Sequence, residues 1–87
     1  MDPETRPRVR IVTRRYCGYC VAALDLLRRH GIPFEHVDMT GDRAGLEALK
    51  RRTGHPTVPQ VFLDGTLLGG YTELRAYVDR HGPNALR

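Results

Sequence analysis

Two cysteines, Cys17 and Cys20, are the residues of this sequence best suited to chemistry, and they enclose only Gly18-Tyr19. On a helix, residues i and i+3 lie on one face, within the Cα separation of about 4.4–6.8 Å that a disulfide needs. The spacing places Cys17 in the first turn of a predicted helix, where unpaired backbone N–H groups and the helix dipole stabilise a thiolate. Arg14 and Arg15 add positive charge nearby. We therefore expect Cys17 to attack a disulfide and the more buried Cys20 to resolve the mixed disulfide.

Other uses of a Cys-x-x-Cys pair stay open at this point. A zinc site would need two further ligands, and the four histidines of the chain are scattered. A structural disulfide, or two inert thiols in the core, would fit the spacing alone. The predicted position at the start of a helix and the flanking arginines favour a redox-active pair over these alternatives.

The segments around the cysteines alternate between strand and helix patterns. A β-branched run precedes Cys17, and apolar residues then recur at helical spacing until Gly31. Asp42 is a candidate N-cap for a second helix, and Asp64-Gly65 is typical of a two-residue hairpin turn. The predicted order is β-α-β-α-β-β-α, with strands over 9–13, 34–38, 58–63 and 66–68. The pattern predicts an α/β fold in which helices flank a four-stranded mixed sheet.

Composition and charge narrow the classes of partner. The chain has 87 residues and a net charge of +4, and the whole excess lies in residues 1–30, which hold seven arginines against three acidic residues. No basic run is interleaved with aromatics, so nucleic acid is not an expected partner. No apolar run reaches the ~18 residues of a membrane span, and the first seven residues lack the apolar core of a secretory signal. We expect a soluble, monomeric, cytoplasmic protein with a flexible tail over 1–7 and one domain over 8–87.

Three separated segments carry a resemblance to a known family. They are 13–20 (Thr-Arg-Arg-Tyr-Cys-Gly-Tyr-Cys), 57–62 (Thr-Val-Pro-Gln-Val-Phe) and 69–74 (Gly-Gly-Tyr-Thr-Glu-Leu). Because the three segments occur in the order in which that family carries them, the sequence resembles a dithiol glutaredoxin of the thioredoxin superfamily. The resemblance implies a thioredoxin-like fold and a glutathione-disulfide oxidoreductase. Such an enzyme reduces protein disulfides and glutathionylated proteins through Cys17 and Cys20, with glutathione as co-substrate.

The resemblance also implies a glutathione site. Pro59 matches a cis-proline beside the cysteines, and it would present the Val58 backbone to glutathione as to an added strand. Arg14 matches the residue that pairs with the glycine carboxylate of glutathione, and the opening of the last helix matches the pocket for its γ-glutamyl group. The implied binding residues are Arg14, Tyr19, Thr57, Val58, Pro59, Gly70, Tyr71, Thr72 and Glu73.

Two departures from the family pattern keep other functions open. Gly18 stands where the family usually has proline, and members with a small residue there often bridge a [2Fe–2S] cluster between two protomers. No resident metal is expected otherwise, and Cys17 would be the protein ligand of such a cluster. Thr72-Glu73 stands where the family usually has Ser and Asp types. A redoxin fed by a flavoprotein reductase, or by another low-molecular-weight thiol, is the remaining alternative.

Overall fold

The computed structural model of this chain describes residues 6–87 and contains four strands, three α-helices and a short 3₁₀ helix. The predicted tail over 1–7 lies outside the described residues except for Arg6 and Pro7, which are exposed. The elements in chain order are β1 (Val9–Thr13), α1 (Gly18–Arg29), β2 (Phe34–Asp38), α2 (Arg43–Thr53), β3 (Gln60–Leu63), β4 (Thr66–Gly69), α3 (Tyr71–His81) and the 3₁₀ helix Pro83–Leu86.

The strands form one mixed sheet in the order β2-β1-β3-β4. β1 pairs in parallel with β2 and antiparallel with β3, and β3 pairs antiparallel with β4 across the turn at Asp64-Gly65. This confirms the predicted four-stranded, thioredoxin-like α/β fold. The central position of β1 matters for the site, because the segment that follows it has neighbours on both sides.

Three boundaries differ from the sequence prediction, the smallest difference being that β4 ends at Gly69 and not at Leu68. β3 begins at Gln60 and not at Val58, because Pro59 has no N–H to donate to the strand ladder. α1 begins at Gly18, so Cys17 is its N-cap and not a residue of its first turn. The C-terminal 3₁₀ helix Pro83–Leu86 was not predicted, and its Leu86 is fully buried.

The core has two parts. The larger one joins one face of the sheet to α1, α3 and the 3₁₀ helix, and Ile11, Leu27 and Leu74 are fully buried there. The smaller one contains Val12 of β1, Cys20 and two leucines of α2. Cys20 is therefore a core residue as well as a candidate site residue. No helix within residues 6–87 is long and apolar enough to cross a membrane.

Candidate active site

Cys17 caps the helix that carries Cys20. Its backbone is extended, and its Sγ accepts a hydrogen bond from the Cys20 N–H at 3.2 Å. The Cys17 thiol also donates to the Val58 carbonyl oxygen at an Sγ–O distance of 3.6 Å. An N-cap side chain satisfies one of the unpaired N–H groups of the first helical turn, and a negative charge there is favoured by the helix dipole. The N-cap position therefore aims a backbone donor directly at the Cys17 sulfur.

The two sulfurs differ in exposure. Both cysteines are free thiols, and Cys17 is half-buried whereas Cys20 is only 2% exposed. Burial, the main cause, and a hydrogen bond with Cys17, the second, together raise the pKa of the Cys20 thiol to about 12. Cys17 is thus the sulfur that a substrate can reach, and Cys20 lies directly behind it.

Exposed apolar side chains surround Cys17. Tyr16 is 92% exposed, and Tyr19 and Val21 are each 67% exposed. Tyr16 has a φ of 59°, a left-handed conformation that is uncommon for a residue other than glycine. Tyr19 is held near Tyr71 of α3, with ring centroids 6.1 Å apart and ring planes inclined by 30°. Tyr16 was not predicted as a site residue, because a backbone conformation of this kind leaves no signal in residue type.

A groove of about 250 Å³ lies on the β3–β4 side of Cys17. Eight of the nine predicted glutathione-binding residues line it, and the ninth, Arg14, does not. His55 lines the groove as well and was missed by the sequence analysis, since a single histidine in a loop carries no pattern. The lining residues are Tyr19, His55, Thr57, Val58, Pro59, Gly70, Tyr71, Thr72 and Glu73.

The floor of the groove offers backbone groups to an extended ligand. The Val58–Pro59 peptide bond is cis, as the resemblance implied. Within the described residues the Val58 N–H donates to no acceptor, so it is available to a ligand. The Val58 carbonyl oxygen faces Cys17. A peptide lying along Val58 would therefore bring its own sulfur next to Cys17 Sγ.

The start of α3 forms the far wall of the groove. Glu73 Oε1 accepts a hydrogen bond of 2.8 Å from the Gly70 N–H, so this carboxylate caps its own helix. Thr72 lies in the first turn, whose N–H groups have no acceptor within a helix. Gly69 has a φ of 133°, and a Cβ there would lie 2.5 Å from Glu73 Oε1. Glycine at this position therefore allows the capping carboxylate to fold back over the backbone.

Gln60 holds the loop that carries Val58 and Thr57. Its side chain is fully buried, and Nε2 donates to the His55 carbonyl oxygen at 2.8 Å and to the Thr57 carbonyl oxygen at 3.4 Å. Gln60 Oε1 accepts a hydrogen bond of 3.1 Å from the Thr53 hydroxyl. In the sequence, Gln60 stands in the predicted strand and in the motif over 57–62, and an amide inside an apolar strand is itself a signal for this anchoring role.

Arg14 lies on the other side of Cys17. It lines a separate cavity of about 520 Å³ between the β1–α1 loop and the start of α2. The assignment of Arg14 to the glycine carboxylate thus stays a prediction, and His55 is the one residue lining the groove that can carry positive charge.

Comparison with known proteins places this arrangement in a family. The glutaredoxin family model matches residues 9–68. Glutaredoxin 3 of Escherichia coli strain K12 is 37% identical over 78 residues, which cover 90% of this chain and 94% of that protein. The chain belongs to the glutaredoxin family. The resemblance predicted from three motifs is confirmed.

Solved structures of glutaredoxins share the fold. The crystal structure of the holo form of glutaredoxin C1 from Populus tremula x tremuloides has a TM-score of 0.81 at 31% identity and covers 93% of this chain and 76% of that chain. The buckwheat glutaredoxin–glutathione complex has a TM-score of 0.79 at 25% identity, with 92% and 76% covered. Together with the adjacent Cys17 and Cys20, membership in this family makes the glutaredoxin a thiol–disulfide oxidoreductase.

Proposed function

We propose that this glutaredoxin uses glutathione to reduce protein disulfides and glutathionylated proteins, as a cytoplasmic monomer. The observation that carries the proposal is the groove of about 250 Å³ that runs from the Val58 backbone, next to Cys17, to the start of α3. Its Val58 N–H suits the backbone of glutathione, its helix N-terminus suits the γ-glutamyl carboxylate, and Cys17 lies where the glutathione sulfur would be. The buckwheat relative, whose structure is a glutathione complex, supports the same ligand.

The reaction on a glutathionylated protein proceeds in two exchanges. The Cys17 thiolate attacks the glutathione sulfur of the mixed disulfide, and the S–S bond to the protein breaks, so the protein leaves as a thiolate that takes up a proton. A second glutathione thiolate then attacks the glutathione sulfur bound to Cys17. It releases oxidised glutathione and regenerates the Cys17 thiolate, so each turnover consumes one reduced glutathione, and the other half of the oxidised glutathione comes from the mixed disulfide.

Reduction of a disulfide within a protein uses Cys20 in place of the second glutathione. Cys17 forms a mixed disulfide with the substrate, and Cys20 attacks Cys17 Sγ to release the substrate as a dithiol. The hydrogen-bond contact of Cys20 N–H with Cys17 Sγ shows how close the two residues lie. The resulting Cys17–Cys20 disulfide is reduced by two glutathione molecules in succession.

The deciding experiment separates these two routes. We expect Cys20→Ser to keep reduction of a glutathionylated peptide and to lose reduction of an intramolecular protein disulfide, while Cys17→Ser loses both. The assay couples oxidised glutathione to glutathione reductase and follows NADPH consumption. A wild-type protein inactive with glutathione but active with a flavoprotein thioredoxin reductase, or with another low-molecular-weight thiol, would overturn the proposal. Size-exclusion chromatography tests whether the protein is a monomer in solution.

A second candidate function is transfer of a [2Fe–2S] cluster. No group of three or more potential metal ligands exists within residues 6–87 of one chain, so a cluster would be held by Cys17 of two protomers and two glutathione thiolates. The space beside Cys17 fits such an arrangement, because a Cβ on Gly18 would meet nothing within 4 Å. The cluster would supply iron and sulfide for delivery to another protein. Visible absorbance and a dimeric mass after anaerobic purification would establish this function.

A further inference from the structure

A basic cleft lies on the side of Cys17 opposite the glutathione groove. The groove is built from the β3 and β4 side of the sheet, whereas the cleft is built from the β1–α1 loop, the β2–α2 loop and α2, and β1 lies between them. The cleft has a volume of about 520 Å³. It is lined by Arg14, Arg15, Tyr16, Met39, Thr40, Gly41, Arg43, Leu46, Glu47 and Lys50.

Positive charge dominates the lining. Four of the residues are basic and one, Glu47, is acidic, and Glu47 is 3.4 Å from the Lys50 ammonium. Arg14, Arg15 and Arg43 form no ion pair with any residue in the part of the chain that the structure describes. The acidic groups next to the cleft are already engaged in local contacts. Asp38 accepts hydrogen bonds from Thr40, and Asp42 caps α2 by accepting from the Gly45 N–H.

The positive charge of Arg43 does not stabilise the helix in which it lies. It is the first residue of α2, and no acidic residue lies in that first turn. A cation at a helix N-terminus opposes the helix dipole, so this charge disfavours the helix it belongs to. Its side chain is exposed and makes no hydrogen bond within residues 6–87. The Arg43 guanidinium is therefore available to an anion from outside the protein.

The walls of the cleft are fixed to one another. The Arg15 N–H donates to the Thr40 hydroxyl at 2.7 Å, and the Met39 N–H donates to the Thr13 carbonyl oxygen at 2.9 Å. These bonds join the loop before Cys17 to the loop before α2. The arginines are therefore carried by loops that are held together at the mouth of the cleft, beside the 92% exposed ring of Tyr16.

We infer that the basic cleft docks an acidic segment of the protein substrate, two to four residues from the cysteine that is being reduced. This inference rests on the proposed function, in which glutathione occupies the groove and the protein leaves from the other side of the disulfide. Carboxylates of the segment lie against Arg15 and Arg43, and Tyr16 packs against its apolar atoms. A segment of three extended residues spans about 10 Å, which carries it from Cys17 along the cleft. Substrates with acidic residues near the cysteine are thus preferred.

The test uses three synthetic peptides, each with one cysteine held as a mixed disulfide with glutathione. Two positions within four residues of the cysteine are both Glu, both Gln or both Lys, and the sequences are otherwise identical. Because one exposed charge pair changes binding about 1.4–5-fold, we expect kcat/KM for the Glu peptide to exceed that for the Gln peptide about 5–10-fold at low salt. The Lys peptide should be the poorest substrate. Since 1 M salt shortens the screening length to about 3 Å, the preference should nearly vanish there.

Substitutions of two α2 residues test whether the preference for the Glu peptide arises in the basic cleft. We expect Arg43→Gln to lower the preference for the Glu peptide about 2–3-fold and Arg43→Glu to remove it, with kcat/KM for the Gln peptide unchanged in both. Arg51→Gln and Arg51→Glu are matched controls, because Arg51 is exposed on the same helix but does not line the cleft. These controls should keep the wild-type preference. Equal kcat/KM for all three peptides, or a preference that survives Arg43→Glu, would overturn the inference.

Binding without turnover distinguishes this inference from the proposed function. The reduced, ¹⁵N-labelled protein is titrated with the Glu peptide in which the cysteine is replaced by serine. We expect the amide signals of Thr40 and Gly41 to shift, and the Gln version of the peptide to leave them in place. If no peptide disulfide is reduced, the proposed glutathione-dependent function is wrong. The changes in the amide signals then test by themselves whether the cleft binds the acidic peptide. Absence of the shifts overturns the cleft as an acidic-peptide site.

Discussion

Replacing Gln60 with methionine should weaken both the fold and the glutathione groove. Gln60→Met keeps the length and approximate volume of the fully buried side chain and removes its amide. The change breaks the bonds to the His55 carbonyl oxygen at 2.8 Å, the Thr53 hydroxyl at 3.1 Å and the Thr57 carbonyl oxygen at 3.4 Å. His55 and Thr57 belong to the loop that leads into Val58, and Thr53 is the last residue of α2.

The size of the effect follows from these contacts. Two of the bonds have good distances, and a typical net contribution is about 1 kcal/mol each, so the free energy of unfolding should fall by about 2 kcal/mol. For a domain of this size, each 1 kcal/mol lowers Tm by about 4–8 °C, which gives a fall of about 8–16 °C. Loss of the loop anchor should also raise KM for a glutathionylated peptide several-fold, because Val58 and Thr57 are no longer held in the groove wall.

Urea unfolding and steady-state kinetics measure the two effects separately. Thr53→Val is the matched partner, since it removes the hydroxyl that donates to Gln60 Oε1. In a double-mutant cycle the two changes should be clearly non-additive, because they share one hydrogen bond. The alkylation rate of Cys17 should stay within about twofold of wild type, as the Cys17 cap does not involve Gln60. Wild-type stability and KM in Gln60→Met would refute the anchoring role of this residue.

Three further predictions concern single residues or residue pairs. Iodoacetamide at about pH 6 should label Cys17 well before Cys20, whose pKa is raised to about 12 by burial, and equal rates would contradict the assigned roles. Arg14→Ala should raise KM for glutathione substrates about 5–30-fold and Arg14→Lys should raise it less; wild-type KM in both variants would assign the glycine carboxylate to another group. The hydrogen bond from Arg8 holds the pKa of Asp64 below its usual range, so this pair stabilises the fold above that range and is lost as pH falls. Thermal unfolding from about pH 5 to pH 3 should therefore be less pH-dependent in Arg8→Gln.

The fold was predictable because its signals are local. The change from alternating to helical periodicity at Cys17, the Asp42 cap and the Asp64-Gly65 turn each mark an element boundary that the structure reproduces. The β-α-β order then implies parallel pairing of β1 and β2, as observed. The 3₁₀ helix that buries Leu86 had no such signal, since four residues after a Gly-Pro pair are too few to show a period.

The site was predictable only in part, for a physical reason. The residues of the three motifs lie together because the first segment follows β1, the second enters its neighbour β3, and the third follows β4, which pairs with β3. Which side of β1 a neighbouring side chain reaches depends on loop conformation, and residue type does not encode that. Arg14 therefore lines the basic cleft although its sequence position suggested the groove, and His55 lines the groove although nothing in the sequence singled it out.

The placement of Cys20 in the core also sets the order of the chemical steps. The pKa of Cys20 is raised mainly by burial, next by its hydrogen bond with Cys17 and to a smaller extent by the charge of Cys17. A Cys17 Sγ bound in a mixed disulfide carries no charge, so this electrostatic part of the rise is then absent. The Cys20 proton is then easier to remove, at the stage when Cys20 has a disulfide to attack. Burial continues to oppose ionisation of Cys20, so under the proposed function free glutathione should compete with Cys20 for the mixed disulfide, and one pair of cysteines would serve both routes.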